Sequence, residues 1–600
     1  MVEPQPADAM RPAQPGSGLP WLTHFAPTIL FADEDVLVVD KPAGIVCQSV
    51  HGAHSLDLPG LLKEWLASRR DCAVGDVYLG THQRLDQDTS GCVLYTVRKS
   101  ANKALADQFA ARSIEKVYVA AVSGEPPRAG SVLVHWLVPA ERGSVRVAGP
   151  HEQGAKEART RVLAVRSVEG RSLLTLAIDT GRTHQVRVQL AAVGCPVAGD
   201  ARYGGARALR LLLHAQQLSF RHPSDGRQLH CEAALPFEFE DWLGHGVRSV
   251  FSESRVLERA IALAAMRRHA LGRLHATGQT TAFRLVNDAA DGLPGFSVDL
   301  YEQWLIVRVD GEGEQFTLQE QQLVSALAAL PGVRGIYVKR HPKQANQLID
   351  PTEEAIAPRL PVWGEPAPEA IVVRECGVPF AVRLGQGLRT GLFLDQRDNR
   401  ERLRELAPGK RVLNLFAYTG SFSVVALMAG ADSVTSVDSS RTAVDWAQRN
   451  VERIGCGARH HGVVADAFDA LRHLARAGER FDIVIVDPPS YSTSKRGRFR
   501  AKRDYVALCV AACSVLAEPG TLLACINHQG VSRLQLRRFI QDAARQMGRE
   551  PRAVRDLATA TDFPAEAGHE PAMKGVLVEF PKRSAFRSPS AGMRPRRFTR

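Results

Sequence analysis

Downstream of Leu394 short apolar runs alternate with amphipathic segments, and no other feature restricts the fold so strongly. A strand over Arg411–Phe416, a helix from Ser421, a strand over Ser433–Val437, a helix from Arg441 and a strand over Phe481–Val486 make successive βαβ units. Units of this kind bury their strands as a parallel sheet with helices packed on its faces. The earlier half has another rhythm. From Ile29 to about Pro236 the apolar runs are short and bounded by turn residues, as in Val36–Asp40, Lys116–Ala120 and Leu173–Ala177. That pattern predicts a mixed domain with much antiparallel sheet.

Six hundred residues exceed what one hydrophobic core accommodates. The expected organisation is a multidomain α/β and α+β chain: a disordered Pro- and Ala-rich leader over residues 1–20 and a mixed-sheet domain over 21–240. A basic helical linker over 241–281 follows, then a small α+β domain over 282–393. A Rossmann-like domain over 394–581 and a basic, disordered tail over 582–600 complete it.

Lys and Arg outnumber Asp and Glu by 76 to 64, a net charge of +12 and a pI near 9.3, which fits a polyanionic partner such as nucleic acid. The ten cysteines form no C-x-x-C pair, which argues against a zinc ribbon, a redox motif or a disulfide scaffold. His214, His222 and His230 read as polar sheet residues, with no carboxylate or cysteine to complete a metal site. The first residues lack the order of a signal peptide, and no apolar run is long enough for a bilayer, so a reducing cytoplasm and no membrane partner are expected.

Two segments of the first half carry candidate chemistry. In Arg84-Leu-Asp-Gln-Asp-Thr-Ser-Gly91 an acid follows an apolar residue and precedes a turn, so a strand entering a tight turn would present Asp86 at a surface with Arg84 on the same side. Gly181-Arg-Thr-His-Gln-Val-Arg-Val188 gathers Arg182, His184 and Arg187, a partner for a carboxylate or phosphates, or simply a polar strand face.

With Pro196–Gly204, Leu212-Leu-His-Ala215 and Phe220-Arg-His-Pro223 in the same order, Phe31–Pro236 resembles the pseudouridine synthases that act on ribosomal and transfer RNA. The resemblance implies that Asp86 is the catalytic carboxylate, helping to detach uracil from C1′ so that it rejoins through C5. Attack on the sugar, attack on the base and proton abstraction all stay open. The chemistry needs an ionised carboxylate, which a neighbouring guanidinium favours, and Arg182 or Arg187 is the implied partner. Tyr118, at the family's Lys-x-Tyr position, would pack against a uridine flipped from its stack. The isomerisation is redox-neutral, so no cofactor or metal is expected. Two departures are visible: Gln83 stands where the family commonly has His, with His82 displaced by one, and no RNA-binding module is recognised before Trp21.

In the second half Arg411-Val-Leu-Asn-Leu-Phe-Ala-Tyr-Thr-Gly420 is a strand, a lean loop and a helix start without the glycine pattern of a dinucleotide site. Asp438 closes the next strand, where an acid can bond both hydroxyls of a ribose. Asp466 follows a strand-like run and is placed to meet an adenine or an amine. Asp487-Pro-Pro-Ser-Tyr491 ends the strong strand Phe481–Val486, at the sheet edge where open α/β folds bind ligands.

Together with Asp291-Gly-Leu-Pro-Gly295, Thr390–Asn399 and Ser494-Lys495, these segments make Phe283–Phe580 similar to class I methyltransferases that modify bases of large-subunit ribosomal RNA. The resemblance implies S-adenosylmethionine as cofactor, held by Asp438, Asp466 and the Asn414–Gly420 loop with Phe416 and Tyr418, and a target base faced by Asp487–Tyr491. Cytosine C5 enzymes of this kind place a nucleophilic Cys at the position of Asn527, whereas relatives that methylate guanine N7 have Asn there. Cys525 lies two residues earlier, on the same strand face but about 7 Å deeper. The chain is therefore expected to be two enzymes sharing an RNA, most simply ribosomal RNA. The alternatives are one live enzyme beside an RNA-binding module, or a methyltransferase of proteins or small molecules. The oligomeric state is not legible.

Overall fold

The computed structural model describes residues 19–23, 27–47, 57–140, 144–341, 353–494, 497–566 and 569–582, the side chains of 491–499 excepted. The leader expected over 1–20 and the tail expected over 582–600 lie outside these residues apart from Leu19, Pro20 and Lys582. The described residues form two compact units, one within Met1–Glu369, Leu384–Leu388 and Glu566–His569, the other within Ala370–Arg383, Arg389–Ala565 and Glu570–Arg600.

The first unit contains an eleven-stranded sheet. Its strands run in the order Thr28–Ala32, Val36–Lys41, Ser90–Thr96, Leu213–Arg221, Glu115–Ser123, Arg171–Ile178, Lys156–Val168, Val132–Pro139 and Val145–Ala148, with two short strands at its side. Every pairing is antiparallel but one. Ser90–Thr96 meets Leu213–Arg221 in parallel, with His214 opposite Ser90 and Ala215 opposite Gly91. Glycine is required there: its φ is +114°, and a Cβ would lie 2.2 Å from the Ala215 carbonyl oxygen. The two faces alternate along Glu115–Ser123, Tyr118, Ala120 and Val122 joining one core and Val119 and Ala121 another beneath Phe239 and Trp242.

The segment Gly181–Val188 is not a strand. It is a turn through His184, with φ +52°, into the helix Gln185–Ala192. Gln185 and Gln189, one helical turn apart, face the core. Gln185 accepts from the Thr180 hydroxyl at 2.7 Å, and Gln189 accepts from Thr160 at 2.7 Å and donates to the carbonyls of Leu133 and Ala158 at 3.0 Å. Inward-facing glutamines conceal the apolar period by which a helix is recognised.

The stretch expected as a linker is built into a core of the same unit. Val256, Leu257, Ala260, Ile261 and Ala264 of helix Ser254–Arg267 pack on Phe283, Leu285, Val298 and Leu305 of a five-stranded sheet. Arg268, buried, grips buried Asp291 through both carboxylate oxygens at 2.8 and 2.6 Å.

The second unit is a seven-stranded sheet in the order His460–Val464, Ser433–Asp438, Arg411–Leu415, Phe481–Val486, Leu516–Asn527, Met573–Phe580 and Ala553–Asp556. The first five are parallel, and Met573–Phe580 is antiparallel to both its neighbours. Helices Arg441–Arg453, Ala467–Arg476 and Arg533–Gln546 begin at Ser440, Asp466 and Ser532, each side chain accepting from a backbone N–H of the first turn. The hairpin Ile371–Glu375 with Val378–Val382 belongs to this unit, tied to helix Arg397–Leu406 by the bidentate pair Glu375–Arg400 at 2.6 and 2.7 Å. The fold is thus the mixed antiparallel sheet and the Rossmann-like parallel sheet expected from the apolar rhythm.

Candidate active sites

In the first unit Asp86 opens a turn closed by the Thr89 N–H on its carbonyl at 3.1 Å, just before strand Ser90–Thr96. The strand expected ahead of it is only Gly80–Thr81, and residues 82–86 are irregular. The turn is stitched from beneath. The Lys41 ammonium, wholly buried, donates to the carbonyls of Gln87 and Ile45 at 2.8 Å and of Pro42 at 2.9 Å. Burial pulls its pKa down to about 8, opposed by the nearby Cys47, Asp88 and Asp86. From helix Ser254–Arg267, Arg267 approaches Asp88 at 3.6 Å and Asp291 at 3.1 Å.

The Asp86 carboxylate receives Arg187 Nη1 at 2.7 Å, with His184 Nε2 at 3.8 Å. Arg187 is itself fixed by buried Asp200, through Nε at 2.6 Å and Nη2 at 2.9 Å, and its guanidinium lies 5.3 Å over the Tyr203 ring. Burial works against its charge, but the Asp200 and Asp86 carboxylates outweigh burial and raise its pKa. The Tyr203 hydroxyl also bonds His184 Nδ1 at 2.9 Å, which holds that ring beside Asp86. Tyr118 is buried on the central strand, and its phenol is pushed up by burial and then by the Asp86 charge. Asp86, Arg187 and Tyr118 therefore converge. Arg182 does not join them, since its Nε donates to the Glu157 carbonyl at 3.0 Å.

In the second unit the candidate residues sit at the C-terminal ends of the parallel strands. Phe416 and Tyr418 have φ of +57° and +48°, and Gly420 +78°, where a Cβ would strike Ala447 at 2.7 Å. Asp438 accepts from the backbone N–H groups of Tyr418 and Ser440, both at 2.9 Å, so the second strand end holds the loop of the first. Asp466 caps its helix through the Phe468 N–H at 3.0 Å. Asn414 points inward to Ser423 at 2.9 Å, at the head of a buried chain through Ser436 and His460, so it supports the loop from below.

Half-buried Asp487 receives the Gln396 amide at 2.8 Å. Burial, then the negative charge of Asp395, pushes its pKa up to about 7 against the Gln396 bond and the charges of Arg400 and Arg389. Asn527, exposed, donates to Asp395 at 3.3 Å, and the Ser490 hydroxyl donates to the Asn527 carbonyl. Cys525 is fully buried beneath them, receiving Asn399 Nδ2 at 3.6 Å, its thiol pushed well above the ordinary range by burial and then by Asp487. The Tyr491 side chain lies outside the described residues.

The sequence profile of the RNA pseudouridylate synthase family matches residues 35–192, and that of the S-adenosylmethionine-dependent methyltransferase family matches residues 359–571. The ribosomal RNA large subunit methyltransferase I of Aeromonas salmonicida is 33% identical over 303 residues, covering 50% of this chain and 74% of its own. That of Pseudoalteromonas atlantica is 32% identical over 406 residues, covering 62% of this chain and 99% of its own. The chain belongs to the ribosomal RNA large subunit methyltransferase I family. It also carries an RNA pseudouridylate synthase domain, and it is an enzyme in both. A solved methyltransferase complexed with SAH is 24% identical, covers 60% of this chain and 87% of its own, and superposes with a TM-score of 0.49.

Within the methyltransferase unit, the residues that sequence reasoning missed come from Thr390–Asn399, a segment noticed as a motif but given no roles. Gln396 is the hub: besides Asp487 it meets Met573 Sδ at 3.2 Å and accepts from Asn399 at 2.5 Å. Arg397, buried, pairs with buried Asp562. In the synthase unit the missed residues are Lys41 and Asp200. Among the described residues no helix is long and apolar enough to cross a membrane, and no group of three or more His, Cys, Asp or Glu is placed to hold a metal ion.

Proposed function

We propose that this chain is a bifunctional RNA-modifying enzyme that isomerises a uridine to pseudouridine and, with S-adenosylmethionine, methylates a base of large-subunit ribosomal RNA. The observation that carries the reading is a carboxylate-centred cluster in each unit, Asp86 with Arg187 and Tyr118, and Asp487 with Gln396 and with Asp395, which Asn527 bonds. In the synthase unit Asp86 acts at the glycosidic carbon or the base, Arg187 fixes the carboxylate, and Tyr118 packs against the extruded uracil. Extrusion is necessary because C1′ and C5 are out of reach inside a stack.

In the methyltransferase unit the Phe416–Gly420 loop, Asp438 and Asp466 would hold the cofactor, which supplies an electrophilic methyl group when bound. The residues present fit it: each Asp438 oxygen that accepts a backbone N–H retains a lone pair for a ribose hydroxyl. Asp487 and Asn527 face the target base. The favoured acceptor is a ring nitrogen such as guanine N7, which needs positioning but no covalent activation. Asn527 and not a thiol stands at the strand end, and the Cys525 thiol is buried and protonated, which supports a non-covalent transfer.

The test is nucleoside mass spectrometry of ribosomal RNA, taken from cells lacking the protein and incubated with the purified chain and methyl-labelled S-adenosylmethionine. Label in 7-methylguanosine or another ring-nitrogen product is expected. Label in 5-methylcytidine overturns the non-covalent reading, and no label in any nucleoside overturns the methylation itself.

A further inference from the structure

The strand and the segment that form the Asp86 site also line a second cavity, in which three cations converge. Phe109, Arg112, Ile114, Lys116, Gly181 and Arg182 line it, with Asp179 and Thr180 at its side. Lys116 is two residues before Tyr118 on strand Glu115–Ser123, so the two side chains leave the same face about 7 Å apart. Gly181 and Arg182 lie a few residues before Arg187. One strand face and one turn therefore serve both places.

The charges in the cavity are not balanced. Among the described residues neither Arg112 nor Lys116 has a carboxylate within ion-pair distance, while the one acid, Asp179, is already taken by Arg159 at 3.4 Å and Arg161 at 3.1 Å. Lys116 is half-buried with its ammonium 5.7 Å over the Phe109 ring and 3.9 Å from where a Gly181 side chain would begin. A half-buried ammonium whose nearest acid, Asp179, acts on it only from beyond ion-pair distance and is shared by two arginines, in a cavity also lined by Arg112 and Arg182, leaves room for an anion.

We infer that Lys116, Arg112 and Arg182 form a binding site for a backbone phosphate of the RNA, next to the uridine held over Tyr118 and Asp86. The inference rests on the synthase reading above and adds to it. Gripping the phosphate on one side of the nucleotide fixes the strand while the base is turned out, so the site sets affinity and register and leaves the chemistry to Asp86.

The experiment uses the full chain and ribosomal RNA from cells lacking it, and measures RNA affinity across a range of salt together with KM and kcat for pseudouridine formation. Lys116→Gln is expected to lower affinity several-fold at low salt, with the loss in KM more than in kcat. It should also reduce the slope of log affinity against log salt by about 0.7–1, the contribution of one phosphate. Lys116→Arg should restore the slope, and Arg112→Gln should lower it as Lys116→Gln does. An unchanged slope and KM in both glutamine variants, while the wild type binds and converts RNA, overturns the phosphate site and leaves the synthase reading standing. Thermal stabilisation by inorganic phosphate with no change in the RNA slope assigns the cavity to a free anion and overturns it too. A wild type that forms no pseudouridine and binds no RNA removes the synthase reading and the site with it.

Discussion

Asp86 and Asp487 are both carboxylates at the centre of a site, but their surroundings differ in sign. Arg187 and Asp200 set a guanidinium against Asp86, whereas Asp487 faces Asp395 and a neutral amide. Asp86→Asn keeps the shape and removes the charge, and pseudouridine formation should fall on the order of 10²–10⁴-fold in a single-turnover assay. For Asp487 the prediction is one of linkage. Its folded pKa is raised, so the native state keeps a proton that the unfolded chain has lost, and stability declines as pH rises from about 4 to about 7. The slope is at most about 1.4 kcal/mol per pH unit. Asp487→Asn should flatten that part of the profile in urea melts of the full chain at pH 5, 6 and 7, and a profile unchanged by the substitution contradicts the assigned environment.

Which residues were legible follows from the same physics. Asp86, Asp438 and Asp487 announce themselves because an acid beside a turn or strand end breaks an apolar run. Gln396 and Lys41 act through carbonyls, amides and burial, which leave no pattern in the sequence.

Among the elements, the parallel contact between Ser90–Thr96 and Leu213–Arg221 depends on one glycine. Gly91→Ala drives a Cβ into the Ala215 backbone, and should cost about 2 kcal/mol or more, seen as a lower urea midpoint for the synthase unit. In the methyltransferase unit the Glu375–Arg400 pair joins the Ile371–Val382 hairpin to helix Arg397–Leu406, with both side chains buried. Glu375→Ala leaves an uncompensated guanidinium in the interior and should cost about 3–5 kcal/mol, while an exposed pair such as Arg472–Asp469 should be worth under about 1 kcal/mol. Elements with a clear apolar period, such as Arg411–Leu415 and Phe481–Val486, were readable in advance. Helix Gln185–Ala192 was not, because buried Gln185 and Gln189 interrupt the apolar period of its core-facing Val186, Val188 and Leu190. Nor was the packing of Ser254–Arg267, because a basic amphipathic helix reads alike whether it bridges domains or covers a sheet.

At the scale of the whole molecule, two enzymes of different reaction class share one chain, and the excess of Lys and Arg over Asp and Glu suits the polyanion proposed for both. A single chain of this kind supplies the two activities in matched amounts, and each site should be separable from the other by one substitution. The most direct measurement is nucleoside mapping of ribosomal RNA from cells lacking the protein and complemented with wild type, Asp86→Ala or Asp487→Ala. Wild type should restore one pseudouridine and one methylated base, Asp86→Ala only the methyl group, and Asp487→Ala only the pseudouridine. Full restoration by either variant contradicts the account, because that unit would then act without the carboxylate on which its chemistry is built.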